Sequence, residues 1–557
     1  MPVHERRSAS QEVRAVSGRR DGQAGAVCRR RRTAQGLRPH AAHPAFVTDS
    51  SFDFVVVGAG SAGCAVVAGL VEAELGTVCA LEAGGSDNSL MVRTPFALMF
   101  MMGSRKWDWR RTTTPQRELG GRVLAVPRGR MIGGSGSINS MVWFRGRMDD
   151  FDRWDIEGWS SDDVAPAFEE VEARMMPRRL PNPHPLAERF ARALGSDGKT
   201  PPSPEREGAG IFSVNMRGHR RWSPADAFLR PAQAGGRLTV TTGSQVDRIL
   251  FDGDRARAVV LADGGRIKAR KGVVLSAGAI ESPAILMRSG IGPGQELQSL
   301  GIHVIQDSPE VGENLHDHPV IGVHHAGANS GYGLTLAQLP TWALAPFSYL
   351  LAKKGPFTSC IVEAGAFFNA RGEGGSPDVQ VHFIPYMMGW KGRTLVWGSG
   401  YCADVGVSRP RSRGKLRLAS ADVEAAPEID LGLLNHPDDR ATLIAGFRRL
   451  REILDAAPFG SMRAPEAFPA GAVSTDEQIE RHIRQRLATA YHPVGTLRMG
   501  AGDAPVSPRL KVKGVEGLWV ADASVMPQVT SANTNAPSIM IGHRAARFIS
   551  EDLPLQA

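Results

Sequence analysis

Cysteine is scarce in this chain. Five thiols (Cys28, Cys64, Cys79, Cys360, Cys402) are scattered over 557 residues, odd in number, with no CxxC pair and no Cys/His cluster. Neither a disulfide framework nor a thiolate zinc site is supported, no metal is expected, and a reducing, cytoplasmic setting fits best. An uninterrupted apolar run of about 18 residues is also missing, so no transmembrane helix is expected. The nearest candidate, 334–351, is broken by Gln338, Pro340 and Pro346. It reads as a buried or lid segment, with a weak membrane-surface contact as the lesser alternative. A basic face is lacking too. The formal charge is +9, but residues 1–46 hold ten Arg, no Lys and three acids, which leaves +2 for the rest. That balance does not point to nucleic acid. Residues 1–46 are expected to be a disordered basic tail, or to follow from an upstream start, since Val47-Thr48-Asp49 resembles a natural beginning. They lack the apolar stretch of a secretory signal, and a transit peptide is the third reading. Charged residues at 22% and apolar residues at 42% describe a globular chain, not a disordered one.

What is present begins with FDFVVVGAGSAG at 52–63. The β-branched run Val55 to Val57 predicts a strand, and the small residues from Cys64 to Gly69 predict a closely packed helix. In such a turn Gly58 permits the bend, Gly60 lets a pyrophosphate approach, and Gly63 lets helix and strand touch. The helix start would offer free N–H groups and a positive dipole end to phosphates. A second strand, Val78 to Leu81, ends in Glu82, 19 positions after Gly63. That suits the acid that binds an adenosine ribose. The motif predicts a dinucleotide but does not choose between FAD and NAD. Farther on, RGRMIGGSGSIN at 128–139 holds five small residues in a row, Gly133 to Ser137. Such a run suits a loop pressed on a flat ligand, not a helix or strand interior.

At this point the chain resembles the glucose-methanol-choline (GMC) flavin oxidoreductases. The likeness rests on six ordered stretches: the two above, SAGAIESPAILMRSGIG at 276–292, VGENLHDHP at 311–319, YHPVGTLRMG at 491–500 and VADASVMPQVTSANTNAPSIMIG at 520–542. It spans about 52–549 and is nearest in character to the choline dehydrogenase and choline oxidase branch, which includes many bacterial alcohol dehydrogenases. The resemblance implies FAD and hydride transfer from an alcohol carbon to flavin, with oxygen or a quinone as the acceptor. It implies a mixed α/β fold, in which a Rossmann-like FAD-binding βαβ domain intertwines with an antiparallel-sheet substrate domain. The expected division gives 47–151, 234–319 and 489–557 to the FAD domain, and 152–233 and 320–488 to the substrate domain.

Oxidising an alcohol requires removal of the hydroxyl proton, because an alkoxide expels hydride far more readily. A neutral histidine supplies such a base. By resemblance His492 is that base, and Asn535 is its partner, hydrogen-bonding the substrate oxygen. Asn535 also has a local explanation as a helix N-cap before Ala536-Pro537. The resemblance further implies cofactor contacts at Gly58, Gly60, Ser61, Gly63, Glu82 and Gly134. Asn139, Met141 and Val142 would face the isoalloxazine, Val246 the adenine, and Asp522 with Ala523 the ribityl chain. Glu363 matches a glutamate that faces the substrate cation in choline-acting members. Its neighbours Ile361 and Val362 are not aromatic, so no cation cage is evident locally. His316 and His318 flank Asp317 in what reads as a structural loop. Ile138 stands where some members carry a flavin-linking histidine, so the FAD is expected to be noncovalent. His492 and Ser408 disfavour the photodecarboxylase pattern. A lyase of the hydroxynitrile type, or a silent flavin-binding protein on the same fold, is the alternative.

Overall fold

The computed structural model describes residues 50–553, except 328, 329, 334, 373, 392, 393 and 470–472. The expectations for residues 1–46 therefore lie outside the described residues.

Two seven-stranded sheets dominate. In the first, Leu238–Thr242, Val78–Glu82, Ser50–Val57, Arg266–Leu275 and Leu518–Val520 run parallel, in that order. The Val55-Val56-Val57 run lies in the middle and is buried on both faces, which is why it is continuously apolar rather than alternating. An antiparallel pair, Arg255–Leu261 and Val246–Asp252, extends the edge beyond Arg266–Leu275. The second sheet is antiparallel throughout: Glu466–Phe468, Pro319–Ala326, Gly400–Val407, Val379–Ile384, Ala364–Phe368 and Gly208–Ile211, with Ala488–Thr489 pairing onto Pro319–Ala326. One continuous apolar core joins the two sheets. The mixed α/β architecture expected from the sequence is present.

Helix Ser61–Glu72 leaves the first strand and packs side by side with the closing helix Asn535–Asp552. Small residues permit this closeness. A Cβ on Gly69 would lie 2.4 Å from the Ala546 side chain, and one on Gly542 would lie 2.3 Å from the Ala62 carbonyl. The two helix starts are thereby brought together at the carboxyl ends of the parallel strands, where ligands of open α/β sheets bind.

Of the two main readings of the 334–351 stretch, a buried or a lid segment, the described residues do not bear out the buried one. Helix Leu339–Phe347 and the wider turn Ser348–Ala352 lie on the surface, not in the core. Only Ala345 and Tyr349 are fully covered, with Trp342 half-buried beside them, while Leu344, Phe347, Leu350 and Leu351 face outward. The stretch is apolar on both sides, so composition alone gave no sign of which side would be covered.

Candidate active site

The strand ends build a cradle first. Gly58 N–H donates to the Leu81 carbonyl and takes φ 96°, a turn natural to glycine. A Cβ there would lie 2.5 Å from the Ser276 carbonyl, and one on Gly63 would lie 1.9 Å from the Gly58 carbonyl. Gly60 is different. Its nearest neighbour to an added Cβ is the Gly134 Cα at 3.9 Å, so protein packing does not demand a glycine there. Gly134, at φ 53°, would put its own Cβ 2.8 Å from the Gly60 Cα. The two glycine-rich loops thus face each other backbone to backbone. Glu82 closes one end, buried at the end of its strand. Its carboxylate accepts from Ala59 N–H at 3.2 Å and Gly84 N–H at 2.8 Å, and burial pushes its pKa up to about 7. Val246 begins its strand close by, two residues after Ser244, whose N–H donates to the Glu82 carbonyl.

Neither helix start is capped by a side chain. Instead the Ser61 hydroxyl donates to Asn535 Oδ1 at 2.7 Å, while Asn535 Nδ2 is buried without a hydrogen-bond partner among the described residues. Two positive helix ends therefore converge on one spot, an arrangement that favours an anion between them. On the second loop, Asn139 Oδ1 accepts from Met141 N–H at 3.0 Å and from Arg221 Nη1 at 2.8 Å. Met141 adopts φ 60°, and Val142 bridges to Val214. Burial lowers the Arg221 pKa to about 9, and its Nη2 is a buried donor without a hydrogen-bond partner among the described residues. Ile138 is buried beside these groups. Asp522 caps the Ala523–Val525 turn and accepts from Ser524 N–H, the Ser524 and Ser282 hydroxyls and Gly278 N–H, so its carboxylate is engaged within the protein. The Ala523 carbonyl accepts from Gly495 N–H at 3.4 Å.

His492 sits at the centre of a second constellation. Its backbone follows Tyr491, which adopts φ 65° and whose carbonyl accepts from Arg128 Nη2. Asp317 Oδ1 accepts the backbone N–H groups of both His492 and His318, at 2.9 and 2.7 Å. The ring assignments then follow one from another. His318 Nε2 lies 3.1 Å from the Ser408 carbonyl and 3.0 Å from the Thr530 carbonyl, two acceptors, so it carries the proton. Burial lowers the His318 pKa to about 4, so its Nδ1 is a lone pair. His492 Nδ1, 3.0 Å away, must donate to it. His492 Nε2 is then the basic nitrogen, 3.2 Å from Asn533 Nδ2. Gln380 Nε2 donates to Asn533 Oδ1 at 3.2 Å, which turns the Asn533 NH₂ toward the histidine. Burial drives the His492 pKa well below its ordinary value, reinforced by His318, His382 and Arg128.

One expectation needs correction here. The asparagine at the histidine is Asn533, not Asn535. The latter opens the closing helix and is turned toward Ser61, because two positions on from Asn533 the backbone has already entered the helical path. For Glu363 the expectation is that its sequence neighbours Ile361 and Val362 offer no aromatic cage. Around Glu363 the structure gathers aromatic rings from remote segments: Tyr332 and Tyr386 stack at 4.9 Å, and Phe96 packs on Tyr386, Trp342 and Phe357. His184 lies 4.4 Å from Tyr332 and its N–H donates to Glu363. The Glu363 carboxylate also accepts from Ser359, and burial raises its pKa to about 7.

Asp317, His318 and His492 present ligand-type atoms within 4.8 Å of one another. Hydrogen bonds occupy both His318 nitrogens and His492 Nδ1, so the cluster is held as a proton-ordering network. His316 is structural: it donates to the Asn314 carbonyl and accepts from Val529 N–H. The residues fit FAD on observations of this chain: facing glycine backbones, uncapped helix starts, a buried carboxylate at the strand end, and orphaned donors on Asn535 and Arg221. Sequence reasoning missed Asn533, His318, Gln380 and Arg221 as members of the site. For Asn533 the signal was present in the Asn-Thr-Asn triplet; the other three have none outside three-dimensional proximity.

Comparison with known proteins identifies the family. The N-terminal and C-terminal profiles of GMC oxidoreductase match residues 52–320 and 410–542. The chain is 36% identical over 532 residues to an oxygen-dependent choline dehydrogenase of Rhizobium johnstonii, covering 90% of this chain and 96% of that one. It is 35% identical over 533 residues to an alcohol dehydrogenase (acceptor) of Pseudomonas putida, covering 89% and 95%. Among solved structures, pyridoxine 4-oxidase from Mesorbium loti superposes with a TM-score of 0.79 at 30% identity, covering 89% of this chain and 98% of that one. Formate oxidase of Aspergillus oryzae RIB40 gives 0.80 at 25% identity, covering 91% and 99%. The chain belongs to the GMC oxidoreductase family.

Proposed function

We propose that this FAD-dependent oxidoreductase takes a primary or secondary alcohol, with His492 Nε2 as the base that receives the hydroxyl proton. The observation that carries the reading is the ordered chain from the Ser408 and Thr530 carbonyls through His318 to His492, which leaves one basic nitrogen beside the Asn533 amide. Asn533 Nδ2 donates to the alcohol oxygen and orients it. His318 is a positioning residue, holding the His492 proton on Nδ1. FAD, when bound, supplies the acceptor for the hydride that leaves the alcohol carbon. Gly58, Gly60, Ser61, Gly63 and Gly134 would hold its diphosphate, Glu82 and Val246 its adenosine end, and Asn139, Met141 and Val142 its ring. The Asp522–Ala523 turn contributes backbone beside the same strand ends. The relatives above are dehydrogenases and oxidases, which favours redox chemistry over the lyase alternative.

The division into an FAD part (47–151, 234–319, 489–557) and a substrate part (152–233, 320–488) is likewise proposed. It is supported by the distribution of strands between the two sheets. No helix among the described residues is long and apolar enough to cross a membrane. A cytoplasmic location is proposed from the cysteine usage; the four described cysteines are buried and none forms a disulfide among the described residues.

Two measurements test this reading. Anaerobic addition of alcohols should bleach the flavin, and reoxidation in parallel by air and by a quinone dye should identify the acceptor. A flavin untouched by every alcohol tried would defeat the proposal. The FAD is proposed to be noncovalent, because Ile138 offers no linking atom. Acid precipitation should release all the colour into solution, and a yellow pellet would contradict this.

A further inference from the structure

We infer that the apolar surface formed by helix Leu339–Phe347 and the turn Ser348–Ala352 docks on an anionic lipid bilayer. Residues 331–352 contain no charged residue and no histidine. Their outward side is a ledge of Leu336, Leu339, Leu344, Phe347, Leu350 and Leu351, each more than half exposed, with Leu336 at 87% and Leu351 at 80%. Phe100, 59% exposed, extends the ledge through Phe96, which packs on Trp342. Large apolar side chains gathered this densely on a surface mark an interaction site.

Charge identifies the occupant. The ledge ends at Lys353 and Lys354, and Lys353 lines an open cavity of about 280 Å³ together with Arg178, Arg179, Asn182 and His219. No carboxylate lines it. His219 is buried against Tyr349 of the ledge, and its Nε2 has no hydrogen-bond partner among the described residues. An apolar strip bordered by a cationic cavity matches acyl chains bordered by phosphate headgroups. A second copy of this chain is the poorer fit, because a two-fold contact on this face would bring two cationic cavities together.

The inner side of the same segment joins an apolar cluster running from Trp342 and Phe96 through Tyr386 to Met131 and Ile138 of the second glycine loop. A lipid-partitioned alcohol or quinone would meet this cluster directly from the bilayer. That consequence rests on the proposed function; the docking itself does not.

The test is co-sedimentation of the full-chain holoenzyme with vesicles of equal parts phosphatidylglycerol and phosphatidylcholine, and with phosphatidylcholine alone. Binding should be strong on the mixed vesicles, weak on the neutral ones, and reduced by salt. The combined Leu344→Ser, Phe347→Ser and Leu351→Ser variant should bind at least about tenfold more weakly, as expected for losing several buried methylenes. An Arg179→Glu, Lys353→Glu variant should lose the preference for phosphatidylglycerol. Millimolar inorganic phosphate should not displace the protein. Flavin content and far-ultraviolet dichroism report folding for each variant, independently of turnover. The inference fails if the wild type stays in the supernatant, or if the triple variant sediments like wild type, which would assign binding to the Arg-rich N-terminal residues. It also fails if equilibrium sedimentation finds a dimer that the triple variant dissociates.

Discussion

His492→Ala is expected to lower turnover by about 10²- to 10⁴-fold while leaving flavin content near wild type. That range is what a positioned general base contributes. The ring is held by His318 and Asn533, and the His492 backbone N–H by the Asp317 carboxylate; none of these residues belongs to the Gly58–Glu82 cradle. The sign of the pH effect follows from burial. A base works when neutral, and burial with His318, His382 and Arg128 nearby disfavours the imidazolium. The neutral form therefore persists to lower pH than for a free imidazole, whose pKa is about 6.5. Wild-type kcat/KM should be flat through neutrality and fall only on the acid side. A solvent-exposed histidine would place that fall near its ordinary value; the buried setting moves it down. The variant should lose this acid limb. Asn533→Ala should slow flavin reduction and keep the limb, since an amide does not titrate there. Asn535→Ala should act instead through cofactor retention, because its side chain meets Ser61. Rates per bound flavin separate the two. A His492→Ala enzyme reduced at the wild-type rate would remove the base from the mechanism.

Gly60→Ala should leave the protein folded yet weaken FAD binding by about ten- to a hundredfold, or about 1.4–2.8 kcal/mol. Gly60 has φ −77° and ψ −162°, which alanine adopts without strain. The protein offers an added methyl its nearest atom at 3.9 Å. Only a ligand lying on the loop would meet it. Gly63→Ala is the contrast, since its Cβ would lie 1.9 Å from the Gly58 carbonyl and should destabilise the fold itself. Flavin titration of the apoprotein, with thermal melts of both variants, distinguishes these outcomes. Wild-type FAD affinity in a folded Gly60→Ala protein would show that no phosphate lies against this loop.

The sequence by itself determined the first sheet's central βαβ unit, its glycine turn and the acid at the second strand end. These features are local: each is fixed by the conformation of a few consecutive residues, as at Val55 to Gly63. It also determined that His492 belongs to a motif capable of base chemistry. Tertiary structure decided which atom of His492 is basic, because the tautomer depends on carbonyls of Ser408 and Thr530, far away in the chain. It decided between Asn533 and Asn535, two positions apart in an Asn-Thr-Asn triplet, because the start of the closing helix turns their side chains to different partners. It assembled the aromatic surroundings of Glu363 from four separate segments, and it turned Leu339, Leu344, Phe347, Leu350 and Leu351 outward although the composition of their stretch suits a core. Local motifs state which chemistry a residue can perform. Hydrogen bonds and packing between distant segments set its protonation, its direction and its exposure, and those couplings have no period or spacing that a single sequence displays.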